Sequence, residues 1–252
     1  MIKLKYNGHA NISLTKDNLT ILIDPFFTNN PLNKINPNEV ECNYILVSHA
    51  HFDHIGDAIE ISKRTGATII STAEIANMAE GKGCNAHGMN IGGKFNFEFG
   101  SVKVTQAIHS AGIEGGMACG FIIDFYGKTI YFAGDTALFG DMELIGRLNT
   151  IDYALLPIGD NFTMGPEEAL EAVKEYDTND VYIIGGGSIY KQFLQYCDVA
   201  HVTKIDYAYQ ADTYFPNLDE DKEWELVGDS DEQTYYDLEY RFLKYERIKT
   251  NR

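Results

Sequence analysis

The run Tyr44-Ile-Leu-Val-Ser-His-Ala-His-Phe-Asp-His-Ile-Gly56 constrains the rest of the chain more than any other. It begins with an apolar segment, Ile45 to Val47, as a buried strand does. It then places His49, His51, Asp53 and His54 within six positions. Two imidazoles separated by one residue on a loop can converge on one ion, and the adjacent Asp53–His54 pair can turn toward another. Imidazole and carboxylate donors at this density suit zinc, iron or manganese rather than calcium or magnesium. A solvated, histidine-rich loop is the plain alternative, and the strand directly ahead of HxHxDH argues against it.

The surrounding pattern alternates strands and helices. Ile2, Leu4 and Tyr6 alternate with lysines, Asn11 to Leu14 resumes an extended pattern after Asn7-Gly8-His9-Ala10, and Leu19 to Ile23 is an apolar strand ending at Asp24-Pro25. A helix is expected over 53–65, stopped by Gly66, then a strand over 67–71 and a helix over 73–80 capped by Thr72. The glycine-rich segment 81–93, which carries His87, reads as loop. Residues 94–99 and 101–109 read as a hairpin, followed by strands 121–125, 129–133 and 153–156 and helices 138–148 and 166–176. The fold class is therefore α/β, with two sheets face to face and helices outside.

With 252 residues, 44% hydrophobic content, 16 Tyr and 14 Phe, the chain can bury a large core. A net charge of −17 argues against a nucleic-acid partner. It is compatible with a small charged substrate, because a bound cation makes its own positive field. Cys42, Cys84, Cys119 and Cys197 form no CxxC pair and read as reduced thiols in a cytoplasmic protein. Neither a signal peptide nor an apolar run of the ~20 residues needed to span a membrane is expected. Homo-oligomerisation is left open.

Two further residues extend the constellation. His109 follows the expected strand 102–108, and Asp135 follows strand 130–133. Strand ends are where loops converge over a rigid base. A carboxylate there can bridge two ions about 3.5–4 Å apart. The competing readings are a strand-end histidine and an N-cap for the helix near Leu138. Asp24 suits a carboxylate that holds the free N–H of a ligating histidine, and an Asp-Pro turn accounts for it equally.

The HxHxDH run resembles the metallo-β-lactamase superfamily. Gly8-His9-Ala10, Thr20-Ile-Leu-Ile-Asp-Pro-Phe26, Gly134-Asp-Thr-Ala-Leu-Phe139 and Leu156-Pro-Ile-Gly-Asp-Asn-Phe-Thr-Met-Gly-Pro166 sharpen the resemblance to a group of bacterial metal-dependent hydrolases related to the lactonases of ascorbate-phosphate utilisation. It covers about residues 1–176 and implies an αββα sandwich. It also implies that His49, His51 and His109 hold a first ion, that Asp53 and His54 serve a second, and that Asp135 bridges. Asp53 would be the catalytic residue that orients the nucleophile, a metal-bound hydroxide attacking an ester, lactone or phosphodiester. His9 would contact substrate or support a ligand without ligating. The expected cofactor is Zn2+, or Mn2+ or Fe2+, in one firm site and one weaker site. The second is weaker because the group's last histidine ligand falls near Gly185, which has no side chain.

From about residue 179 the chain resembles the C-terminal part of dihydrofolate reductase. The carrying segments are Val181-Tyr-Ile-Ile-Gly-Gly-Gly-Ser-Ile-Tyr190, Thr203-Lys-Ile-Asp206, Asp212-Thr-Tyr-Phe-Pro216 and Tyr240-Arg-Phe-Leu-Lys-Tyr-Glu246. The front of that enzyme has no counterpart, so dihydrofolate reduction is not expected. The expected division is 1–178, metal-binding, and 179–252, reductase-like. The latter would complete the same sandwich, with a strand at 181–184 and a hairpin of 224–227 with 239–245. Two alternative functions follow: a non-catalytic, metal-stabilised chimeric scaffold, and a nucleotide (NADPH)-binding module using Gly185–Gly187.

Overall fold

The computed structural model describes residues 1–211 and 213–248, and the chain divides into two compact units, Met1–Ala169 and Leu170–Arg252. Asp212, quoted above for the reductase resemblance, lies outside the described residues.

The first unit is built on two sheets. One has the order β1 (Lys3–Tyr6), β2 (Ile12–Lys16), β3 (Leu19–Ile23), β4 (Tyr44–Leu46), β5 (Thr68–Thr72), β6 (Ala86–Met89). Three helices accompany it, α1 (Phe52–Ile55), α2 (Ala58–Thr65) and α3 (Ala73–Gly81). The second sheet holds β7 (Lys94–Phe97), β8 (Gly100–Gln106), β9 (Cys119–Phe125), β10 (Lys128–Phe132) and β11 (Tyr153–Leu155) in reverse order. Helices α4 (Asp141–Leu148) and α5 (Pro166–Val173) follow β10 and β11.

The period-two direction of strand side chains decides the layers. Ile21 and Ile23 point one way and join Leu14, Leu46 and Ile70 against Val102, Val104, Phe121, Ile123 and Phe125 of the second sheet. Leu22 points the other way, with Ile45, Val47 and Ile69, onto Ala58 and Ile61 of α2 and Ile75 and Ala79 of α3. On the far side, Ile122 and Tyr131 receive Met142 and Ile145 of α4. The result is the expected αββα arrangement. No helix among the described residues is long and apolar enough to cross a membrane.

Four local expectations are corrected. The helix expected over 53–65 is broken at Gly56, whose φ of 40° and close approach to Pro25 O exclude a side chain. Asp57 next to it accepts from Phe27 N, Thr28 N and Thr28 Oγ1, anchoring that loop. His87 lies in β6, not in a loop, because parallel pairing with β5 supplies its backbone partners. Thr72 precedes α3 but its hydroxyl makes no cap hydrogen bond. Residues 181–184 form no strand: their apolar character is real, but no neighbouring strand pairs with them.

In the second unit, α6 (Gly187–Phe193) is followed by β12 (Val199–Ile205), β13 (Trp224–Asp229), β14 (Gln233–Tyr235) and β15 (Leu238–Arg247). These strands hydrogen-bond with one another, in the order β12-β15-β13 with β14 also on β15. Leu243 and Tyr245 stand opposite Val202 and Ala200 and, with Leu218 and Trp224, make a small core. The Arg247 guanidinium lies 4.6 Å from the Trp224 ring. The expected pairing of 224–227 with 239–245 is present within β13 and β15. The glycine turn is internally packed: the Tyr190 ring fills the space a side chain at Gly185 would need, and Thr213 does so at Gly187. That packing explains the glycines without a nucleotide.

Candidate metal centre

Strand direction brings the candidate residues to one rim. β1 runs antiparallel to β2 and β2 to β3, so β1 and β3 point the same way, and β4 is parallel to β3. By the same reasoning β8 and β10, both antiparallel to β9, point together. His9, Asp24 and the 49–54 segment follow the carboxyl ends of β1, β3 and β4, and His109 and Asp135 follow those of β8 and β10. The two loops of the second sheet are stitched together. Ile108 N donates to Thr136 Oγ1 at 2.9 Å and Ala137 N to Ile108 O at 3.2 Å. Gly112 (φ 67°) presses on His51, leaving no room for a side chain there.

At the base lies Asp24, fully buried, with φ 43°. Ser48 N donates to its Oδ1 at 2.8 Å, and Ser48 Oγ to its Oδ2 at 2.6 Å. A carboxylate only accepts, so the hydroxyl proton of Ser48 is committed to Asp24. Ser48 Oγ, 2.9 Å from His49 Nδ1, therefore accepts from that ring. His54 Nδ1 likewise donates to Asp24 Oδ2 at 2.7 Å. One carboxylate thus fixes two tautomers and directs the Nε2 atoms of His49 and His54 into the centre.

The atoms they meet there are donors and carboxylates. His49 Nε2 is 2.9 Å from His51 Nδ1, and donor atoms of His49, His51 and His109 all lie within 4.8 Å of one another. His54 Nε2 is 3.3 Å from Asp135 Oδ2 and 4.0 Å from Asp53 Oδ2. Asp135 Oδ2 is also 3.9 Å from His109 Nε2, so this carboxylate stands between the two histidine groups as a bridge requires. Yet His54 Nε2, although fully buried, makes no hydrogen bond of good geometry: the carboxylate it faces most closely is Asp135, at 3.3 Å. A buried ring nitrogen left unsatisfied costs about 1–3 kcal/mol, and either a proton directed at Asp135 or a cation on its lone pair removes that cost. The donor set, imidazole nitrogens with carboxylate oxygens, fits a zinc, manganese or iron ion.

Charge state follows the same geometry. Burial, reinforced by the His54 charge, pushes His49 down to about 4, which keeps its ring neutral. Burial would lower His54 as well, but hydrogen bonding and attraction from Asp135 and Asp24 prevail and raise it to about 10. Asp135 is held below the usual carboxylate range: burial opposes this, and the contact with His54 outweighs it. Burial lowers His109.

All eight residues singled out from the sequence come together on this rim. His9 Nε2 lies 3.1 Å from Asp53 Oδ2, and its ring stands edge-on to His54, 5.0 Å away. Asp135 is no N-cap, because α4 begins at Asp141 behind Gly140. His87 sits apart, against Phe95 and Phe97. Sequence reasoning missed Ser48 and Thr136. The one available signal for Ser48 was its place between a strand and the first ligand-type histidine.

Comparison with known proteins supplies the family. The family model described as Beta-lactamase superfamily domain matches residues 20–185, and the model described as Dihydrofolate reductase matches 153–247. A "UPF0173 metal-dependent hydrolase" of Natranaerobius thermophilus is 54% identical over 173 residues, covering 69% of this chain and 78% of that protein. One from Heliobacterium modesticaldum is 52% identical over 185 residues, with the same two shares. Among solved structures, Igni18, a novel metallo hydrolase from the archaeon Ignicoccus hospitalis, superposes with a TM-score of 0.64 at 41% identity, over 69% of this chain and 77% of its own.

Proposed function

The chain belongs to the metal-dependent hydrolases of the beta-lactamase superfamily, and from that premise we propose that its rim of histidines and carboxylates cleaves an ester, lactone or phosphodiester of a small molecule. His49, His51 and His109, with Asp135, would hold one firmly bound Zn2+, Mn2+ or Fe2+, and Asp53, His54 and the shared Asp135 a weaker second ion. When bound, such ions polarise the scissile oxygen and lower the pKa of water toward ~7. The remaining work falls to the chain. Asp53, partly exposed and in contact with His9, orients the attacking water and takes up its proton. Asp24 and Ser48 keep the lone pairs of His49 and His54 aimed inward. The four cysteines, unpaired, suit a reducing compartment.

The observation that carries this reading is the buried Nε2 of His54, pinned from behind by the bond of Nδ1 to Asp24 and facing the carboxylates of Asp135 and Asp53 without a well-formed hydrogen bond. Purified protein supplied with Mn2+ or Zn2+ is expected to hydrolyse generic aryl ester, lactone or phosphodiester substrates. The activity should disappear on chelation and in His49→Ala and Asp135→Ala. Equal background rates in all three proteins would instead favour the chimeric scaffold.

A further inference from the structure

Once His49, His51 and His109 serve the first ion, the second is left with Asp53, His54 and a shared oxygen of Asp135. That is one donor short of the four that a zinc-type ion usually takes, and position 185 offers no side chain. A fourth donor is in place. His9 Nε2 lies 3.1 Å from Asp53 Oδ2, and donor atoms of His9, Asp53 and His54 are all within 4.8 Å of one another. His54 of this group has a buried Nε2 that makes no well-formed hydrogen bond and faces the carboxylates of Asp53 and Asp135, an independent sign that the group suits a cation.

The turn that carries His9 is built to present it. His9 itself has φ 58°, a left-handed conformation that only a few per cent of non-glycine residues adopt, with His, Asn and Asp the most frequent among them. Gly8 ahead of it (φ 97°) packs so closely on Leu32 that a Cβ would sit 2.8 Å from that side chain. Asn11 N and Asn30 Nδ2 both donate to Gly8 O, and Asn33 Nδ2 donates to Asn7 O at 2.7 Å. The ring is further confined edge-on by Phe26 at 5.8 Å. Strained backbone maintained by so many contacts marks a side chain whose direction matters.

We propose that His9 is a ligand of the second cation. It supplies through Nε2 the imidazole that this ion would otherwise lack, in addition to touching Asp53. The proposal rests on the two-ion reading above. The test is ion stoichiometry and affinity in the full chain, by equilibrium dialysis with Mn2+ and elemental analysis, with no reference to activity. Wild type is expected to hold two ions, and His9→Ala one. His9→Gln, which keeps a polar contact to Asp53 without an imidazole, should bind the second ion at least about tenfold more weakly. Unchanged affinity for the first ion in both variants serves as the control for folding. Two ions held by His9→Ala with wild-type affinity would overturn the proposal. One ion in wild type would overturn it too, while leaving the first site intact. No ion in wild type would remove the hydrolase reading itself.

Discussion

Replacing Asp24 by Asn tests how the centre is wired. The substitution keeps shape and volume, and Asn tolerates the left-handed φ of 43° at this position. The carboxylate accepts from Ser48 N at 2.8 Å, Ser48 Oγ at 2.6 Å and His54 Nδ1 at 2.7 Å. The backbone N–H of Ser48 cannot reverse, so the amide oxygen must take the Oδ1 place and the NH2 group the Oδ2 place. Ser48 can turn its hydroxyl to accept. In the cation-loaded protein His54 is neutral, and it can accept only by moving its proton from Nδ1 to Nε2, which blocks the lone pair that would hold the cation. Ser48, released from Asp24, can then donate to His49 Nδ1 and shift that ring in the same sense. A hydrogen bond to a charged group contributes roughly 1.5–3 kcal/mol, so cation affinity should fall about 10- to 100-fold. Calorimetric titration with Mn2+ measures the affinity, long-range 15N–1H correlation spectra report the tautomers, and circular dichroism checks the fold. A folded Asp24→Asn protein with wild-type affinity and unchanged His54 tautomer would refute the reasoning.

The ion-free protein should be stabilised by charged His54. Its pKa is raised above the unfolded value, so the stabilisation is complete below about pH 6.5 and is lost as pH rises toward about 10. A ligating cation must displace that proton, so Mn2+ affinity should rise by about tenfold per pH unit near neutrality; titrations in buffers of different ionisation enthalpy would expose a pH-independent affinity as contrary evidence. In the second unit, Leu243→Ala removes a buried side chain from a core of few residues. It should cost about 2–5 kcal/mol in the transition reported by Trp224 fluorescence, and chelation should leave that transition in place if residues 170–252 unfold on their own core; coincident loss of both units on chelation would argue otherwise.

The centre was legible in the sequence because ligand chemistry constrains residue type and spacing together. His49, His51, Asp53 and His54 leave one strand within six positions, and His109 and Asp135 each trail a recognisable apolar run. The sandwich was legible because Ile21, Leu22 and Ile23 divide their side chains between two apolar layers. What escaped depends on partners rather than on residue type. Ser48 and Thr136 are ordinary hydroxyls until Asp24 and Ile108 stand beside them. Thr72 has the residue type of a cap and makes no cap bond, and Val181–Ile184 is as apolar as a core strand with nothing to pair with. The glycines around His87 suggested a loop, yet a parallel neighbour was available, and pairing prevailed over local propensity.

Because every candidate ligand trails the carboxyl end of a strand, and those strands share one direction within each sheet, the opposite ends carry none of them. The tight connections there, Asp17–Asn18 between β2 and β3 and Tyr126–Gly127 between β9 and β10, can lengthen or carry inserted sequence without moving a donor atom. Any lineage of this sandwich is therefore free to elaborate that edge while its chemistry stands still.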